Sequence, residues 1–217
     1  MNREQLLMNY YKALSDRLGP CHWWPGDTPF EIAVGAILVQ NTNWANVEKA
    51  IENLKMNNGL TVHGLRRLNE NELQELIRPS GFFRMKAARL RNFLDFLESY
   101  SAECITDLKE HDTRELRESL LSVNGIGPET ADSILLYALN KPVFVVDAYT
   151  RRIFNRHMLV HEDINYQELQ DFFMDVLEEN ADLFNEYHAL IVRTAKCWCK
   201  KTNSDCANCP LGSFLNN

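Results

Sequence analysis

Hydrophobic residues recur every three to four positions along nearly the whole chain, which is the spacing of one face of an α-helix. Helix-start signals recur as well: Thr28 and Glu31 form a capping box, with Pro29 at the first helical position. The pattern predicts helices over residues 3–18, 29–39, 44–56, 70–77, 84–100, 113–123, 128–139, 148–158, 166–179 and 181–196. The one strand-like run, residues 143–146, is too short and solitary to build a sheet. The sequence therefore predicts an all-α protein.

Length and composition describe an ordinary globular chain. Its 217 residues can bury one substantial core or two smaller lobes, and 45% hydrophobic with 24% charged residues is a normal balance. No uninterrupted apolar stretch approaches the length of a membrane span, and the polar start MNREQLLMNYYK is no signal peptide. We therefore expect an intracellular protein with no membrane partner.

Charge is distributed unevenly along the chain. The net charge of −7 by itself argues against a nucleic-acid partner. Between residues 157 and 192, however, there are nine acidic residues and no lysine or arginine, and the remainder is slightly basic. Basic residues concentrate in residues 84–91, 151–152 and 193–201. Such segregation lets one face meet phosphates while the acidic face points away, although each cluster taken singly can also be a solvated helix face.

The turn Asn124-Gly125-Ile126-Gly127 is the most informative local motif. An apolar run leads into it, and Pro128 opens the next helical pattern. Two glycines in four residues permit positive φ and the close approach of a partner. Pro128 suits the first position of a helix, so backbone amides at this helix start point outward, where they can bind phosphate. An ordinary corner between two helices has the same pattern, so the turn alone leaves both interpretations open.

Asp147 lies twenty positions after Gly127, at the end of the apolar run 143–146 and at the start of a helical pattern. A carboxylate in this place can cap the helix. It can equally be held partly desolvated beside a cleft, as a catalytic carboxylate requires. The position alone leaves both roles open.

With the turn and the carboxylate at this spacing, the chain resembles the helix-hairpin-helix DNA glycosylases of the endonuclease III superfamily, over about residues 23–209. The resemblance implies a two-lobed, all-α fold with a cleft between the lobes. One lobe would be a helical barrel over residues 21–140, and the other would join residues 1–20 to residues 141–217 and contain an iron–sulfur loop.

The same resemblance assigns roles to the two motifs. Gly125, Ile126 and Gly127 would hold the phosphates of a DNA strand, and Asp147 would carry the chemistry. The expected partner is double-stranded DNA that contains a damaged base. We expect a monomer in the cytoplasm, associated with the nucleoid.

An enzyme that acts on a base inside a duplex must first flip it out and fill the gap. In the resemblance, Gln40 matches the glutamine that enters the vacated stack, and Phe82 matches an apolar wedge beside the gap. Lys86 lies in the basic segment after Phe82 and is expected to contact DNA. A core aromatic is the alternative for Phe82 or for Phe83.

Aromatic residues near these positions resemble the pocket of the 3-methyladenine branch of the superfamily. Trp23, Trp24 and Pro25 precede the capped helix, and Trp44 follows the glutamine motif. In that branch the aromatics sandwich an extruded alkylated purine. Such a purine is cationic, and a π-face attracts a cation by about 2 kcal/mol or more when desolvated. Core tryptophans are the alternative. Glu129 is expected at the same pocket.

The residue at position 129 distinguishes two mechanisms. Bifunctional members of the superfamily carry a lysine there that attacks the sugar, whereas Glu129 cannot form a Schiff base. The resemblance then implies a monofunctional DNA glycosylase of base excision repair, which uses water, leaves an abasic site and has no AP lyase activity. Asp147 would stabilise the oxocarbenium-like sugar and orient or deprotonate the water. His188 is interpreted as a structural histidine.

Three functions remain open. The first is a monofunctional glycosylase for damaged, 3-methyladenine-like purines. The second is a mismatch glycosylase for adenine, uracil or thymine, or an endonuclease III-like enzyme. The third is a non-catalytic helix-hairpin-helix DNA-binding protein. The register of Asp147 argues against the third, and the aromatic residues favour the first over the second.

Four cysteines lie within thirteen residues near the end of the chain: Cys197, Cys199, Cys206 and Cys209. In a reducing compartment, clustered thiols are typical of metal sites rather than of disulfides. Relatives of endonuclease III hold a [4Fe–4S] cluster with a C-x6-C-x2-C-x5-C loop, whose first three positions match Cys199, Cys206 and Cys209. Leu215 stands at the fourth position, so we expect Cys197 to supply the fourth thiolate. Zinc held by the same four cysteines is the alternative.

Overall fold

The structure is a computed structural model that describes residues 1–21 and 23–215. The regular elements of these residues are helices, and no β-strand occurs among them. The α-helices are α1 (Arg3–Leu18), α2 (Pro29–Leu38), α3 (Trp44–Met56), α4 (Val62–Arg67), α5 (Glu70–Ile77), α6 (Phe83–Ser99), α7 (Thr113–Ser122), α8 (Pro128–Ser133), α9 (Ala148–Arg156), α10 (Tyr166–Met174) and α11 (Ala181–Cys197). Short 3₁₀ turns cover Arg78–Ser80, Ile105–Leu108 and Gly212–Phe214. The all-α prediction is confirmed.

Three helical segments differ from the predicted pattern. Helix α4 is absent from the predicted set because six residues give too little periodicity, although Thr61 caps it by accepting from the amide of Gly64. The helix predicted over residues 166–179 ends at Met174. The helix predicted over residues 128–139 changes character, because α8 continues into a π-helical turn over Ile134–Ala138. Turns of this kind are frequent near functional sites.

The chain divides into two compact units. The central unit is the continuous segment Pro25–Lys141, and the terminal unit joins Met1–Trp24 to Pro142–Asn217. Among the described residues, none of the helices combines the length and the hydrophobicity needed to span a bilayer.

Helix α2 lies at the centre of the central unit. Thr28 caps it, because Thr28 Oγ1 accepts from the amide of Glu31 at 3.1 Å, and Pro29 fits the first helical position. Eight of its ten residues are buried, including Glu31, whose carboxylate pairs with Lys55 at 2.8 Å. The helix lies against the π-helical turn, whose five residues are also buried. Burying each large apolar side chain stabilises the folded protein by about 1.5–3 kcal/mol. Helix α2 and the π-helical turn therefore form the core of the central unit.

Helix α11 lies at the centre of the terminal unit and packs against α1 and α9. Phe144 stacks on Phe173 with ring centroids 4.1 Å apart, and it meets Tyr187 edge-on at 5.7 Å. The strand-like run 143–146 is a buried, non-helical segment of this core. The side chain of Gln170 donates to the carbonyl oxygen of Phe144 at 2.7 Å, which satisfies a backbone group that a sheet would otherwise satisfy.

Candidate active site and DNA interface

The predicted hairpin joins α7 to α8 in the central unit. Gly125 has a φ of +93°, a region that glycine adopts without strain, and Gly127 caps α8 with extended backbone. The side chain of Ile126 is buried, and its amide donates to the carbonyl oxygen of Val123 at 3.0 Å. The apolar side chain therefore anchors the turn in the core, while Gly127 stays exposed.

The two glycines of the turn have different surroundings. A Cβ on Gly125 would collide with the side chain of Arg89. A Cβ on Gly127 would meet no protein atom within 4 Å. The protein's own packing therefore requires glycine at position 125, whereas the space at Gly127 is open to a partner that approaches the backbone closely, such as a phosphate.

Gln40 lies just after α2, and its side chain contacts the hairpin. Its Nε2 donates to the carbonyl oxygen of Gly125 at 3.1 Å and to Thr130 Oγ1 at 2.8 Å, and Arg89 donates to its Oε1. The residue predicted to fill the gap in DNA is therefore docked on the hairpin in this structure. To enter a vacated base stack, the side chain has to exchange these hydrogen bonds for contacts with DNA.

Phe82 lies at the surface, immediately before α6. It is 63% exposed, which excludes the core alternative for this residue. Its φ of +47° is rare for a bulky side chain and is strained. The neighbouring Phe83 lies under the guanidinium groups of Arg78 and Arg84, at 5.7 and 5.8 Å from its ring centroid. Phe82 is therefore accessible to a partner, and its role as a wedge stays a prediction.

Lys86 lies in a different environment from the one predicted. Its side chain is 1% exposed, and Nζ donates to the carbonyl oxygens of Leu38 at 2.8 Å and Ser80 at 2.6 Å. Burial, and then the charge of Arg89, lower the pKa of Lys86 to about 8. Because the ammonium group is enclosed by protein, the predicted contact between Lys86 and DNA is wrong. Lys86 and Phe93 share the buried face of α6, a periodicity that the basic composition of the segment hides.

Asp147 is the N-cap of α9 in the terminal unit. Its Oδ1 accepts from the amide and the hydroxyl of Thr150, at 2.7 and 2.9 Å. Its Oδ2 lies 3.5 Å from Nε2 of His188, and 11% of the Asp147 side chain is exposed. One carboxylate oxygen therefore caps the helix, and the other faces His188.

The surroundings of Asp147 keep its carboxylate ionised. Burial by itself raises the pKa of Asp147, but the hydrogen bond and charge of His188 and the hydrogen bonds from Thr150 outweigh it, so the pKa lies below its ordinary value. A fixed negative charge in a nearly enclosed place can stabilise a cation that develops beside it. The sequence gives no signal for the contact with His188, which is one of several buried residues along α11.

An ion pair that sequence reasoning missed joins the two helices of the hairpin. Arg117 of α7 donates to both carboxylate oxygens of Asp132 in α8, at 2.6 and 3.1 Å. Asp132 is fully buried, and 20% of the Arg117 side chain is exposed. The bidentate geometry fixes both the distance and the orientation of the two groups. Their separation of fifteen residues matches no helical spacing.

Comparison with known proteins decides the family. The model of the HhH-GPD superfamily of base excision DNA repair proteins matches residues 34–179. The putative DNA repair glycosylase MJ1434 of Methanocaldococcus jannaschii is 46% identical over 98% of this chain and 97% of its own length. This chain belongs to the HhH-GPD superfamily. It is a DNA glycosylase of that superfamily.

Solved structures support the fold of this glycosylase. The 3-methyladenine DNA glycosylase of H. pylori, bound to 1,N6-ethenoadenine, is 32% identical with a TM-score of 0.74, over 90% of this chain and 98% of that one. Endonuclease III in a non-covalent complex with DNA is 21% identical with a TM-score of 0.82, over 99% and 95% of the two chains. Together they confirm the helix-hairpin-helix glycosylase fold.

In the terminal unit of this glycosylase, two of the predicted pocket residues are neighbours. Trp23 and Trp24 meet edge-on with ring centroids 5.7 Å apart. Trp23 also lines a cavity of about 650 Å³, together with Tyr11 and Glu186. The ammonium group of Lys196 lies 5.9 Å from the ring centroid of Trp23. Aromatic faces and a carboxylate thus border one cavity of this unit.

The other predicted pocket residues belong to the central unit, which begins at Pro25. Trp44 is the first residue of α3, next to its cap, Asn43. Glu129 lies exposed in the first turn of α8, where a negative charge is favourable. The aromatic pocket that would combine these residues stays a prediction.

The cysteine loop does not have the predicted metal-site geometry. The thiol of Cys199 accepts from Nη1 of Arg156 at 2.9 Å, and Cys197 is the exposed last residue of α11. Cys206 and Cys209 are half-buried. Within residues 1–21 and 23–215, no group of three or more histidine, cysteine, aspartate or glutamate side chains is placed to hold a metal ion. As arranged, the four thiols do not fit a [4Fe–4S] cluster or a tetrahedral zinc ion.

Proposed function

We propose that this DNA glycosylase is monofunctional and acts as a monomer on double-stranded DNA, from which it releases alkylated, 3-methyladenine-like purines. The observation that carries the proposal is the environment of Asp147. Its carboxylate lies at the start of α9. It is nearly enclosed and is kept ionised by Thr150 and His188. A negative charge of this kind suits a reaction that develops a cationic sugar.

In this proposal, the central unit binds and distorts the DNA. Backbone amides around the exposed Gly127 receive a phosphate of one strand, which fixes the position of the protein without reading the sequence. Phe82 inserts beside the target base, and Gln40 leaves Gly125 and Thr130 to fill the vacated stack. Flipping the base costs a few kcal/mol and less for a damaged one, so these contacts also contribute selectivity.

The chemical step then breaks the bond between the sugar C1′ and the purine nitrogen, and the bonding electrons leave with the base. An alkylated purine is cationic before cleavage, so it departs as a neutral base without an added proton. Asp147 stabilises the positive charge that develops on the sugar, an effect worth about 2.7–4 kcal/mol for one preorganised group. Water adds to C1′ and gives its proton to the carboxylate, which leaves an abasic site.

The lysines near the hairpin support a reaction without a covalent intermediate. Position 129, where the bifunctional pattern has a lysine, is occupied by Glu129. Lys86 is enclosed, and Lys141 donates to the carbonyl oxygens of Lys109 and His111 at 3.0 and 2.6 Å. An amine held in this way is not available to attack a sugar carbon. The expected product is therefore an intact strand with an abasic site.

The choice of substrate rests on the aromatic residues and on one relative. Trp23 and Trp24 offer neighbouring π-faces in the terminal unit, and Trp44 offers another in the central unit. A π-face attracts a cationic purine, whereas an uncharged mispaired base gains only stacking. The H. pylori protein with 32% identity is a 3-methyladenine DNA glycosylase, and its substrate is the one that we propose here.

A panel of lesions tests this function. The protein is incubated with DNA labelled by a methylating agent and with duplexes that contain 1,N6-ethenoadenine, uracil or thymine opposite guanine, or adenine opposite 8-oxoguanine. We expect the fastest release from the alkylated DNA and a release by Asp147→Asn that is slower by about 10²–10³-fold. Release from mispairs alone would instead identify a mismatch glycosylase. Tight binding with no release from any duplex would indicate a non-catalytic DNA-binding protein.

From their spacing alone, we also propose that Cys197, Cys199, Cys206 and Cys209 bind a [4Fe–4S] cluster, with zinc as the alternative. The thiols have to move together for this, and Cys199 has to leave Arg156. The metal would be structural, and no step of the reaction passes through it. Iron, sulfide and zinc contents after anaerobic purification, with absorbance at about 400 nm, test the proposal. A purified protein that contains neither iron nor zinc would contradict the proposed metal site.

A further inference from the structure

One turn of α6 contacts the three segments that the proposed function brings to DNA. The first segment is the end of α2 with the residues after it, including Gln40. The second is the end of the 3₁₀ turn with the loop before α6, including Phe82, and the third is the hairpin. Lys86 contacts the first two, and Arg89, three residues further along the helix, contacts the first and the third. All of these residues belong to the central unit.

The ammonium group of Lys86 joins two helix ends. Leu38 is the last residue of α2, and its carbonyl oxygen accepts from Nζ at 2.8 Å. Ser80 is the last residue of the 3₁₀ turn before the loop, and its carbonyl oxygen accepts from the same nitrogen at 2.6 Å. Carbonyl groups at helix ends have no partner within the helix and favour a positive charge. Each carbonyl lies two residues before a predicted DNA-contacting side chain, Gln40 in one segment and Phe82 in the other.

Arg89 extends the same arrangement to the hairpin. It donates to Oε1 of Gln40, whose Nε2 donates to the carbonyl oxygen of Gly125. The side chain of Arg89 also fills the space that a Cβ on Gly125 would occupy. The hairpin and the side chain of Gln40 are therefore placed against the same helix that holds the two backbone segments.

We propose that Lys86 is a positioning residue, which holds the Gln40 segment and the Phe82 segment at a fixed separation so that both side chains enter one gap in the DNA. This inference rests on the proposed function and adds a residue that does not touch DNA. If Lys86 only filled space in the core, an apolar side chain would do so with a smaller free-energy cost, because burying an amine removes it from water. The two hydrogen bonds to carbonyl oxygens are what an apolar residue cannot supply.

The backbone at Phe82 shows why such support is needed. Its φ of +47° is sparsely populated for a bulky residue, and conformations of this kind persist only where the surroundings determine them. The carbonyl oxygen of Ser80 that Lys86 holds is separated from Phe82 only by Gly81, whose φ is also positive at +69°. Without the amine, the loop that carries Phe82 is no longer held to the end of α2. The separation between Phe82 and Gln40 is then no longer fixed.

The test measures preference for a gap without requiring chemistry. Duplexes with a tetrahydrofuran abasic analogue and matched intact duplexes are titrated with the wild type, Lys86→Met, Lys86→Arg and Lys49→Met. Lys49 is an exposed lysine of α3 and serves as the control. The preference is the ratio of the affinity for the analogue duplex to the affinity for the intact duplex. We expect this ratio to fall at least about tenfold in Lys86→Met, while the affinity for the intact duplex stays within about twofold of the wild type. Lys86→Arg, which keeps donors, should regain part of the preference, and Lys49→Met should match the wild type.

A double-mutant cycle with Phe82→Ala separates positioning from stability. If Lys86 acts through the wedge, Lys86→Met lowers the preference much less in the Phe82→Ala background than in the wild type. A loss of stability alone adds equally in both backgrounds, and thermal unfolding of each variant reports it. If Lys86→Met does not fold, Lys86→Gln, which keeps one amide donor, takes its place in the cycle.

Three outcomes would overturn the inference. They are a folded Lys86 variant with wild-type preference for the analogue, an additive cycle with Phe82→Ala, and a wild type that does not prefer the analogue at all. The analogue contains no base to release. Failure here is therefore distinct from failure of the proposed glycosylase activity, which the lesion panel measures separately.

Discussion

Two buried aspartates lie in consecutive parts of the chain, one in α8 and one at the start of α9, and their partners differ. Both oxygens of Asp132 accept from Arg117, at 2.6 and 3.1 Å, and the side chain is fully buried. Asp147 uses one oxygen to cap α9 through Thr150 and directs the other towards His188 at 3.5 Å, with 11% of its side chain exposed. The carboxylate of Asp132 links α7 to α8. The carboxylate of Asp147 has one oxygen that takes no part in the helix cap, and its side chain is partly exposed.

The difference shows that two buried carboxylates can differ in how far a reacting group can approach them. An ionised carboxylate can accept about four hydrogen bonds, and what matters is whether a reacting group can still reach it. Arg117 donates to both oxygens of Asp132, whose side chain is fully buried, so a reacting group cannot reach that carboxylate. Asp147 keeps its charge through hydrogen bonds and through His188. The following predictions test this contrast.

The largest effect is expected at Asp147. Asp147→Asn keeps the shape and one capping oxygen but removes the negative charge, so single-turnover base release should fall by about 10²–10³-fold. DNA affinity should stay within about threefold, because the phosphate contacts that we propose lie on the hairpin. A release rate within about tenfold of the wild type would remove Asp147 from the chemical step.

Asp132→Asn should affect stability instead. It removes the negative charge that Arg117 faces, and breaking a buried pair in this way costs about 3 kcal/mol of unfolding free energy, measured with urea. The release rate per folded molecule should remain close to that of the wild type. The contrast between the two aspartates fails if Asp132→Asn leaves stability unchanged or slows release as much as Asp147→Asn does.

Thr150→Val should have a smaller effect on release. It removes the hydroxyl donor to Asp147 and keeps the backbone donor, so the pKa of Asp147 should rise towards its ordinary value. Loss of one hydrogen bond to a charged group is worth about 1.5 kcal/mol, which corresponds to about a tenfold slower release. Thr150→Ser, which keeps the hydroxyl, is the matched control. Equal rates in the valine variant and the wild type would show that the hydroxyl does not support the carboxylate.

The smallest expected effect is on the pH dependence of stability. Because the pKa of Asp147 is lower in the folded protein, its contribution to stability is present above the unfolded pKa of about 3.9 and is lost as pH falls through the folded pKa. Between pH 5 and pH 3, urea unfolding should show a steeper loss of stability for the wild type than for Asp147→Asn. Parallel curves would contradict the lowered pKa.

Local features of this protein are visible in its sequence. Periodicity and capping residues predict most helices to within two residues, because these signals act over one or two turns. Two glycines before a proline predict the turn around Gly125, and the positive φ of Gly125 agrees with this prediction. A helix cap is one of the two roles that the sequence leaves open for Asp147, and the hydrogen bond that its carboxylate accepts from the amide of Thr150 shows that it has this role.

Contacts across the fold are not visible in this way. The sequence does not show that Lys86 is buried, because its partners, Leu38 and Ser80, lie at helix ends that only the packing of α2 against α6 brings together. The pairs of Arg117 with Asp132 and of Asp147 with His188 join residues that share no local pattern. Cysteine spacing likewise specifies which thiols are close along the chain but not their directions in space, which depend on where α11 ends.

The most direct test of the account is product analysis with borohydride. The central claim is that Asp147 acts with water and without an amine nucleophile. An end-labelled duplex that contains a cationic methylated purine is turned over with and without borohydride, and the strands are examined before and after alkali. We predict base release, no covalent protein–DNA adduct, and strand cleavage only after alkali. Efficient trapping of the native protein on DNA by borohydride would contradict the claim.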